Sequence, residues 1–416
     1  MSIRDRLNRL AGDAATPEPQ PVVADWVSDL QQELQMSVLQ ESRSFILMKE
    51  TVCPLFDEPY YETLYSQGFR VPQLRKISAD FPADLPDDQI NLRNALFIDT
   101  ETTGLAGGTG TYPFLIGIGH VELDHLVVRQ YLLPDFVHEW LMLKHLDQAL
   151  LASGFTVSFN GKSFDLPLLR SRYILNRMET VMDDCFHVDL LHAARRIWRR
   201  RLPACDLQSL EQHILGKTRI GDVPGEMVPH IYFEFIRKRD AYMIRDVLEH
   251  NYHDIANMMM LAMHMAAICE APEMHLQYPQ DQFSFAMYLM KNQSFAEAIR
   301  LLENLLSGSA KLAKDAYATA GFMLSLAFKK SGDSVRAKLQ LEDLLEKQVL
   351  NPEVIETLAK FYEHEDKDFA CASEITERGI QYLELIRQLD PKSAMLKFLP
   401  KLKHRHKRLQ GKLGLK

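Results

Sequence analysis

ALFIDTETTG (95–104) is the stretch that decides the fold: an apolar run passes into acidic and threonine residues and closes on glycine. This pattern predicts a buried strand with a polar end. Asp99 and Glu101 alternate by two, so their carboxylates would share one face of that strand. Such a pair is costly unless water or cations neutralise it, and Mg²⁺ or Mn²⁺ suits carboxylate oxygens. A merely polar strand end is the alternative, and the D-x-E pattern alone is weak evidence.

The flanking sequence predicts a mixed α/β layer. Upstream we expect a helix over 24–42, a strand or hairpin arm over 44–56, a strand-like piece near 69–77 and a loop over 80–88. A Gly-rich turn follows the decisive strand (Gly104, Gly107, Gly108, Gly110). Downstream we expect strands over 114–123 and 125–133, a helix over 138–153 and a strand over 155–160, then a helix from Asp165. Residues 186–250 are expected to be mainly helical, with a last helix over about 241–267.

A second acidic element is SFNGKSFDLPLL (158–169), in which a predicted strand enters a polar turn and Asp165 begins a helix. Asp165 could be a metal ligand, or it could simply cap the helix. Asn160 and Lys162 could hold a substrate phosphate or sugar, with an ordinary surface turn as the alternative for each.

The third element is VLEHNYHDIANMM (247–259). His250 and Asp254 are four residues apart and would share one helix face, with Asn251 close to the same face. A lone helical histidine is usually structural, whereas one beside a metal-binding acid is a candidate general base. His253 would point elsewhere.

Four carboxylates from three segments are what a two-metal phosphoryl-transfer site requires, with two cations roughly 4 Å apart. We therefore predict Asp99, Glu101, Asp165 and Asp254 as ligands of two Mg²⁺ or Mn²⁺ ions. Together with His250 they form the predicted catalytic set.

These three segments, in this order and at these separations, resemble the exonuclease motifs of the DEDD superfamily, and the chain is more similar still to its YprB-like branch. VDLLHAARRIWRRRLPACDLQSLE (188–211) and GDVPGEMVP (221–229) support the resemblance, which covers about residues 40–268. It implies a ribonuclease-H-like fold and a metal-dependent 3′–5′ exonuclease acting on DNA or RNA by a two-metal mechanism. Thr102, within the first motif, is assigned to substrate binding.

The resemblance leaves the general base open. One subclass places a tyrosine four residues before the last aspartate, and the other places a histidine five before it. This sequence has His250 at four. Asp189 and His192 could support the site, although helix packing and capping are favoured for both.

Charge is concentrated in two basic segments, although the net charge is −8. Residues 195–201 read RRIWRRR, and residues 391–416 hold nine Lys or Arg and no acid. Arg199 and Arg200 are predicted to contact a nucleic-acid backbone, with Trp198 as a stacking surface or a buried anchor. A solvated helix face and a disordered tail are the alternatives.

The composition argues against membrane and secreted classes. The sequence offers no run of 18 apolar residues and no apolar signal-peptide core. Its five cysteines are widely spaced and indicate neither a disulfide framework nor a zinc site. We expect a cytoplasmic protein without membrane contact.

After Pro279 the chain reads as all-helical, and three segments repeat weakly. Residues 294–306 match 333–345 at an offset of 39, and 370–380 follow at a further 35. These matches favour tetratricopeptide-like helix pairs and a possible protein partner over an unrelated bundle. The predicted organisation is a flexible arm (1–22), an extension packing on the nuclease domain (23–90), a ribonuclease-H-like exonuclease domain (91–268), helical repeats (280–390) and a basic tail (391–416).

Two rival functions use the same features. One is a non-catalytic scaffold that binds nucleic acid or protein, because a nuclease fold does not guarantee nuclease function. The other is a structure-specific endonuclease. Neither the sugar of the substrate nor its strandedness follows from the sequence.

Overall fold

The computed structural model describes residues 25–56, 61–78, 81–82, 84–104, 110–308, 312–347 and 349–414. The predicted N-terminal arm (1–22) lies outside these residues. The chain divides into two compact units. The first unit contains the described residues up to His192 together with Asp206–Ala266, and the second contains Ala193–Cys205 and the described residues from Ala267 onward.

A seven-stranded sheet is the centre of the described first unit. Its strands are β1 (Met36–Glu41), β2 (Ser44–Pro54), β3 (Ala95–Thr102), β4 (Pro113–Glu122), β5 (His125–Leu132), β6 (Phe155–Ser158) and β7 (Phe186–Asp189). The spatial order is β1-β2-β5-β4-β3-β6-β7. Pairing is antiparallel from β1 through β3, and β6 and β7 continue the sheet in parallel. The predicted mixed sheet is confirmed.

Helices flank this sheet. They are α1 (Asp25–Glu33), α2 (Tyr61–Ser66), α3 (Glu139–Leu151), α4 (Asp165–Leu175), α5 (Leu190–Trp198), α6 (Leu207–Leu210), α7 (Val228–Lys238) and α8 (Ala241–Glu270). Apolar residues of α1, α3, α4, α7 and α8 join those of β1 to β5 in one buried core. Leu96, Phe97 and Ile98 of β3 are all at most 3 % exposed, so this strand is buried on both faces of the sheet.

Two expectations for the secondary structure were wrong. The helix predicted over 24–42 ends at Glu33, and β1 follows, pairing with β2. The strand expected near 69–77 is a short 3-10 helix, Pro72–Lys76, which begins at a proline. The region 186–250 is mainly helical, as predicted, but it begins with a short strand, β7, that pairs with β6. Pairing of β1 with β2 across the turn at residues 42–43, and of β7 with β6, overrides local preference in these two strands.

Two glycines of β4 let α8 lie directly on the sheet. A Cβ at Gly117 would lie 2.2 Å from Asn251 Oδ1, and a Cβ at Gly119 would lie 2.4 Å from a methyl carbon of Ile255. Gly117 pairs with Asp99 across the β3–β4 ladder. The missing side chain therefore brings the middle of α8 to the acidic end of β3.

We expect Gly117→Ala to destabilise the first unit by about 1–3 kcal/mol, because overpacking must displace Asn251 or the backbone. Urea unfolding followed by far-UV circular dichroism measures this change. Gly225→Ala is the matched control, since a Cβ there meets nothing within 4 Å. Equal midpoints for the two variants would mean that the close approach of α8 is not required.

The second unit is helical throughout its described residues. Its helices from Pro272 onward are α9 (Pro272–His275), α10 (Pro279–Lys291), α11 (Phe295–Ser307), α12 (Lys314–Lys330), α13 (Ser334–Glu346), α14 (Pro352–Lys360), α15 (Phe369–Leu389) and α16 (Leu399–Lys412). The predicted all-helical region after Pro279 is confirmed. The matched alanines of the three repeats, Ala298, Ala337 and Ala372, are each 0 % exposed. Their shared burial supports the repeat alignment, while the tetratricopeptide type stays a prediction.

The basic C-terminal segment is an ordered helix, so the alternative of a disordered tail is wrong. Leu402 and Leu409 of α16 are buried. Arg405, Arg408 and Lys412 all pair with Glu363, whose side chain is fully buried. These cations, led by the Lys412 and Arg408 hydrogen bonds, outweigh burial and lower the pKa of Glu363 to about 2. Three of the nine Lys or Arg side chains of this segment are thus held by one buried carboxylate.

Among the described helices, none combines the length and the apolar composition that crossing a bilayer would need.

Candidate metal and catalytic site

β3 carries Asp99 and Glu101 to the edge of the core. Asp99 Oδ2 accepts a hydrogen bond from Asn251 Nδ2 at 2.8 Å. The Asn251 side chain is held in turn by Gln130, whose Nε2 donates to Asn251 Oδ1 at 2.9 Å and to the Leu248 carbonyl at 2.7 Å. Asn251 is 0 % exposed and Gln130 is 1 % exposed. This buried amide chain fixes the orientation of the first predicted ligand.

Asp165 is the first residue of α4, and its side chain points back to β3. Asp165 Oδ1 accepts a hydrogen bond from Thr100 Oγ1 at 2.5 Å. The turn before α4 is held by Asp189, whose carboxylate accepts from the backbone N–H groups of Asn160 and Lys162. Asp189 also accepts from Leu191 N at the start of α5. The structure therefore brings Asp165 to the β3 acids, and Asp189 anchors the turn that carries it.

His250 lies between three carboxylates. Its Nδ1 is 2.7 Å from Asp222 Oδ1. Its Nε2 is 3.7 Å from Glu101 Oε1 and 3.5 Å from Asp254 Oδ2. The hydrogen bond to the Asp222 carboxylate assigns the proton to Nδ1, which leaves Nε2 able to accept a proton or bind a metal. His253 is instead 39 % exposed and lies beside Glu249.

Arg219 places a fixed positive charge beside these acids. Its guanidinium bonds the carboxylates of Asp254 and Glu211, and it lies 3.2 Å from Asp222. The Arg219 side chain is 6 % exposed, and Glu211 is 1 % exposed. Burial would lower the pKa of Arg219, but the bonds to Glu211 and Asp254 raise it above its usual value. Asp254 thus has one oxygen on Arg219 and the other facing His250.

The acids shift one another's ionisation. Burial raises the pKa of Asp99 well above its usual value, and the charges of Asp254 and Asp165 raise it further. Burial is also the largest cause of the raised pKa of Glu101, followed by Asp99. Burial raises the pKa of Asp165 to about 6. Full ionisation therefore needs more positive charge than the protein itself provides.

Asp222 behaves differently from the other acids. Burial would raise its pKa, but the hydrogen bond and charge of His250, together with Arg219, hold the pKa below its usual value. Asp222 therefore remains an anion beside His250.

The donor set fits a hard divalent cation. Glu101, His250 and Asp254 each offer a ligand atom, and these atoms lie within 4.8 Å of one another. Asp99 and Asp165 add carboxylates whose charges interact with the same group. Carboxylate oxygens with a single imidazole suit Mg²⁺ or Mn²⁺, and a cation would offset the repulsion that raises these pKa values.

An open cleft of about 570 Å³ borders the acids, and Asp99, Glu101 and Asp165 line it. Two predicted substrate-binding residues, Thr102 and Asn160, line the same cleft. Thr102 Oγ1 donates to the Gly104 carbonyl at 2.8 Å, and Asn160 has a positive φ of 68°. Lys162 lies in the same turn, but its side chain does not line the cleft. Phe159 and Phe164 add aromatic surface, and Phe164 is 58 % exposed.

The predicted contacts Arg199 and Arg200 belong to the second unit. Both side chains are exposed, whereas Trp198 between the basic residues is 1 % exposed. A stacking role for Trp198 is therefore wrong, and the alternative of a buried anchor is correct. His192, at the end of the first unit's part of α5, is exposed.

Sequence reasoning missed three residues around His250 and Asp254: Glu211, Arg219 and Asp222. Glu211 and Asp222 stand inside the two segments that supported the family resemblance, and Arg219 lies between those segments. A spacing signal within one helix or strand could not have found them, because each reaches α8 from another part of the chain. The available clue was the number of acidic and basic residues between the second element (158–169) and the third element (247–259).

Comparison with known proteins agrees with this architecture. A sequence family described as the RNase_H superfamily matches residues 96–266, which contain all four predicted metal ligands. The chain is also 32 % identical over 298 residues to "Uncharacterized protein YprB" of Bacillus subtilis (strain 168), covering 70 % of each chain. The predicted ribonuclease-H-like fold is thereby confirmed, and this fold implies a nuclease that acts on nucleic acid and uses divalent metal ions. The chain belongs to the family of YprB, and its first unit is a domain of the RNase_H superfamily.

Proposed function

We propose that this protein is a metal-dependent 3′–5′ exonuclease of the DEDD type that hydrolyses phosphodiester bonds of DNA or RNA. The observation that carries the proposal is the meeting of four carboxylates from β3, α4 and α8, two of which, Glu101 and Asp254, face an imidazole that Asp222 orients. The raised pKa values of Asp99, Glu101 and Asp165, beside an open cleft, support a site that binds cations.

Asp99, Glu101, Asp165 and Asp254 would hold the two divalent ions, Mg²⁺ or Mn²⁺. When bound, these ions would supply Lewis-acid polarisation of the phosphodiester and stabilise charge on the departing 3′ oxygen. The protein prepares the ligands in advance. Asn251 orients Asp99, Thr100 orients Asp165, and Arg219 orients Asp254.

His250 is the proposed general base. Nδ1 donates to Asp222, so Nε2 accepts a proton from the attacking water. Asp222 remains ionised and stabilises the imidazolium that forms. His250 is therefore assigned to proton transfer, with metal binding through Nε2 as the competing use of the same atom.

Substrate binding is assigned to the cleft and to basic residues outside it. Thr102 and Asn160 would contact the terminal nucleotide, with Lys162 and the second unit's Arg199 and Arg200 binding phosphates. Phe164 offers an exposed ring on which a base can stack.

The decisive test is a substrate panel with Mn²⁺ or Mg²⁺. Matched DNA and RNA strands, single and double, carry a block at either the 3′ or the 5′ end. We expect stepwise shortening that a 3′ block abolishes and a 5′ block leaves unchanged. Cleavage of a circular strand would identify the endonuclease alternative, and shortening of 3′-blocked strands would refute the polarity.

The carboxylate cluster should make the metal-free protein less stable as pH rises. Burial raises the folded pKa of Asp165 from its usual value of 3.8 to about 6, so between about pH 4 and pH 6 the folded state holds more protons than the unfolded state. Stability contributed by this group is therefore present at low pH and is lost as pH rises through about 6. Asp99 and Glu101 shift in the same direction.

We expect the melting temperature of the first unit in EDTA to fall across this interval relative to that of Asp165→Asn. A difference of roughly 3–6 °C is reasonable, since 1 kcal/mol moves a unit of this size by about 2–4 °C. Mn²⁺ should restore wild-type stability at neutral pH and have little effect on it at pH values near 4. A difference between the two proteins that is independent of pH and metal would contradict the charge repulsion described for this cluster.

The contact between Arg219 and Asp254 favours one second candidate, a non-catalytic nucleic-acid or protein-binding scaffold. In a protein that binds no metal, the guanidinium of Arg219 can supply the positive charge beside Asp254 that a metal ion supplies in a nuclease. A scaffold would show no binding of Mn²⁺ that depends on the predicted ligands.

A further inference from the structure

We propose that the second unit has its own docking surface for single-stranded nucleic acid. The surface, here called the arginine–aromatic surface, consists of Arg200, Tyr278 and Phe283, with the exposed Arg195 and Arg199 on the same short stretch of chain as Arg200. This inference deepens the proposed function by giving the nuclease a second, separate contact with its substrate class, and binding at this surface does not require the carboxylate site.

Arginines of residues 193–205 lie over aromatic rings at the start of α10. The guanidinium carbon of Arg200 is 5.2 Å from the Phe283 ring centre, and that of Arg201 is 4.1 Å from the Tyr278 ring centre. Arg196 lies similarly over Tyr288, at 5.0 Å. Packing against an aromatic ring restricts the conformation of a guanidinium but leaves its N–H donors available. A carboxylate partner, by contrast, accepts hydrogen bonds from those donors.

The charge of this surface is only partly neutralised. Asp281 pairs with Arg201 at 2.7 Å. Within the described parts of the chain, no carboxylate forms an ion pair with Arg195, Arg199 or Arg200, and all three side chains are exposed. In α16, by contrast, Glu363 binds three of the cations. Arg195, Arg199 and Arg200 therefore keep their N–H donors available to an anionic polymer, whereas three cations of α16 are engaged by Glu363.

A cleft of about 900 Å³ borders Arg200. It is lined by Arg200, Tyr278, Phe283, Leu305, Ala316 and the carboxylate of Asp315, among others. Tyr278 is 50 % exposed. Aromatic rings beside arginines are the combination on which unpaired bases stack while their phosphates are bound, whereas a duplex keeps its bases stacked inside. Charge and ring surface together favour a single strand over an acidic peptide, which offers no planar bases.

The test uses the full chain with Asp99→Asn and EDTA, so that nothing is hydrolysed. Fluorescence anisotropy measures binding of a short labelled DNA or RNA strand over a range of salt concentrations. Combining Arg199→Gln, Arg200→Gln and Tyr278→Ser should raise Kd about tenfold or more, since one stacked base alone accounts for about 1–3 kcal/mol. The slope of log K against log salt should also fall, by about 0.7 for each lost phosphate contact.

The matched control replaces Lys392 and Lys407 with glutamine, which removes two exposed cations of the same unit. We expect this control to keep near wild-type affinity. Equal weakening in both proteins, unchanged binding in the surface variant, or equally effective competition by a poly-glutamate peptide would overturn the proposal. If the chain with Asp99 unchanged binds the strand but does not hydrolyse it when Mn²⁺ is present, the proposed nuclease is rejected while the docking surface stands.

Discussion

Asp99→Asn is expected to lower phosphodiester hydrolysis by about a thousandfold or more, which corresponds to about 4 kcal/mol of transition-state stabilisation. Asparagine keeps the size of the side chain and an oxygen that can accept from Asn251 Nδ2, now at 2.8 Å from Asp99. The fold should therefore be retained while one metal-binding charge is lost. Initial rates on the preferred strand, measured at saturating Mn²⁺, give the ratio.

The matched control is Asp88→Asn, which removes the same charge from an exposed position of the same unit. It should keep wild-type activity, and both variants should keep the wild-type circular dichroism spectrum. Wild-type rates in purified Asp99→Asn protein would show that hydrolysis does not depend on this cluster.

His250→Gln is expected to reduce the rate by about 10²–10⁴, the usual contribution of a general base. The acid limb of the pH–rate profile should disappear, because the group that must lose a proton is gone. Asp222→Asn should have a smaller effect and move that limb to lower pH, since the carboxylate 2.7 Å from His250 Nδ1 no longer stabilises the imidazolium.

His253→Gln on the same helix is the control, because the His253 side chain is 39 % exposed and its Nε2 lies 3.8 Å from Glu249 Oε1. Mn²⁺ affinity separates the two uses of His250. If His250 is the base, the His250→Gln variant keeps wild-type Mn²⁺ affinity while its rate falls. A fall in affinity as large as the fall in rate would make His250 a ligand and contradict its assignment as base.

The sequence predicted those parts of the fold that depend on local pattern. The apolar run of β3, the β4–β5 hairpin and α4 and α8 each have a periodicity that their own residues determine. β1 and β7 could not be found in this way. β1 pairs with β2 across the two residues 42–43, and β7 pairs with β6, from which α4 separates it in the chain; each short strand takes its conformation from that pairing.

The residues of the candidate site also fall into those that local spacing predicts and those that it does not. Asp99 with Glu101, and His250 with Asp254, were predicted because strand and helix spacing places each pair on one face. The partners of His250 and Asp254 were not, since Arg219 and Asp222 approach α8 from a separate loop. Gly117 was also missed, because its effect depends on how closely α8 lies against β4.

The basic segments show why charge runs are poor guides by themselves. Residues 195–201 and 391–416 look alike in composition, yet the second folds as a helix whose cations bind the buried Glu363. The burial of Glu363 depends on contacts between distant helices, which residue counts do not contain.

Calorimetric titration of the metal-free protein with Mn²⁺, near neutral pH and without nucleic acid, tests the central claim most directly. We expect the wild type and Asp88→Asn to bind about two ions per chain. Asp99→Asn should lose at least one of these binding events or weaken about tenfold, a change of about 1.4 kcal/mol. Absence of Mn²⁺ binding in the wild type, or binding that Asp99→Asn leaves unchanged, would contradict a metal centre at these four carboxylates.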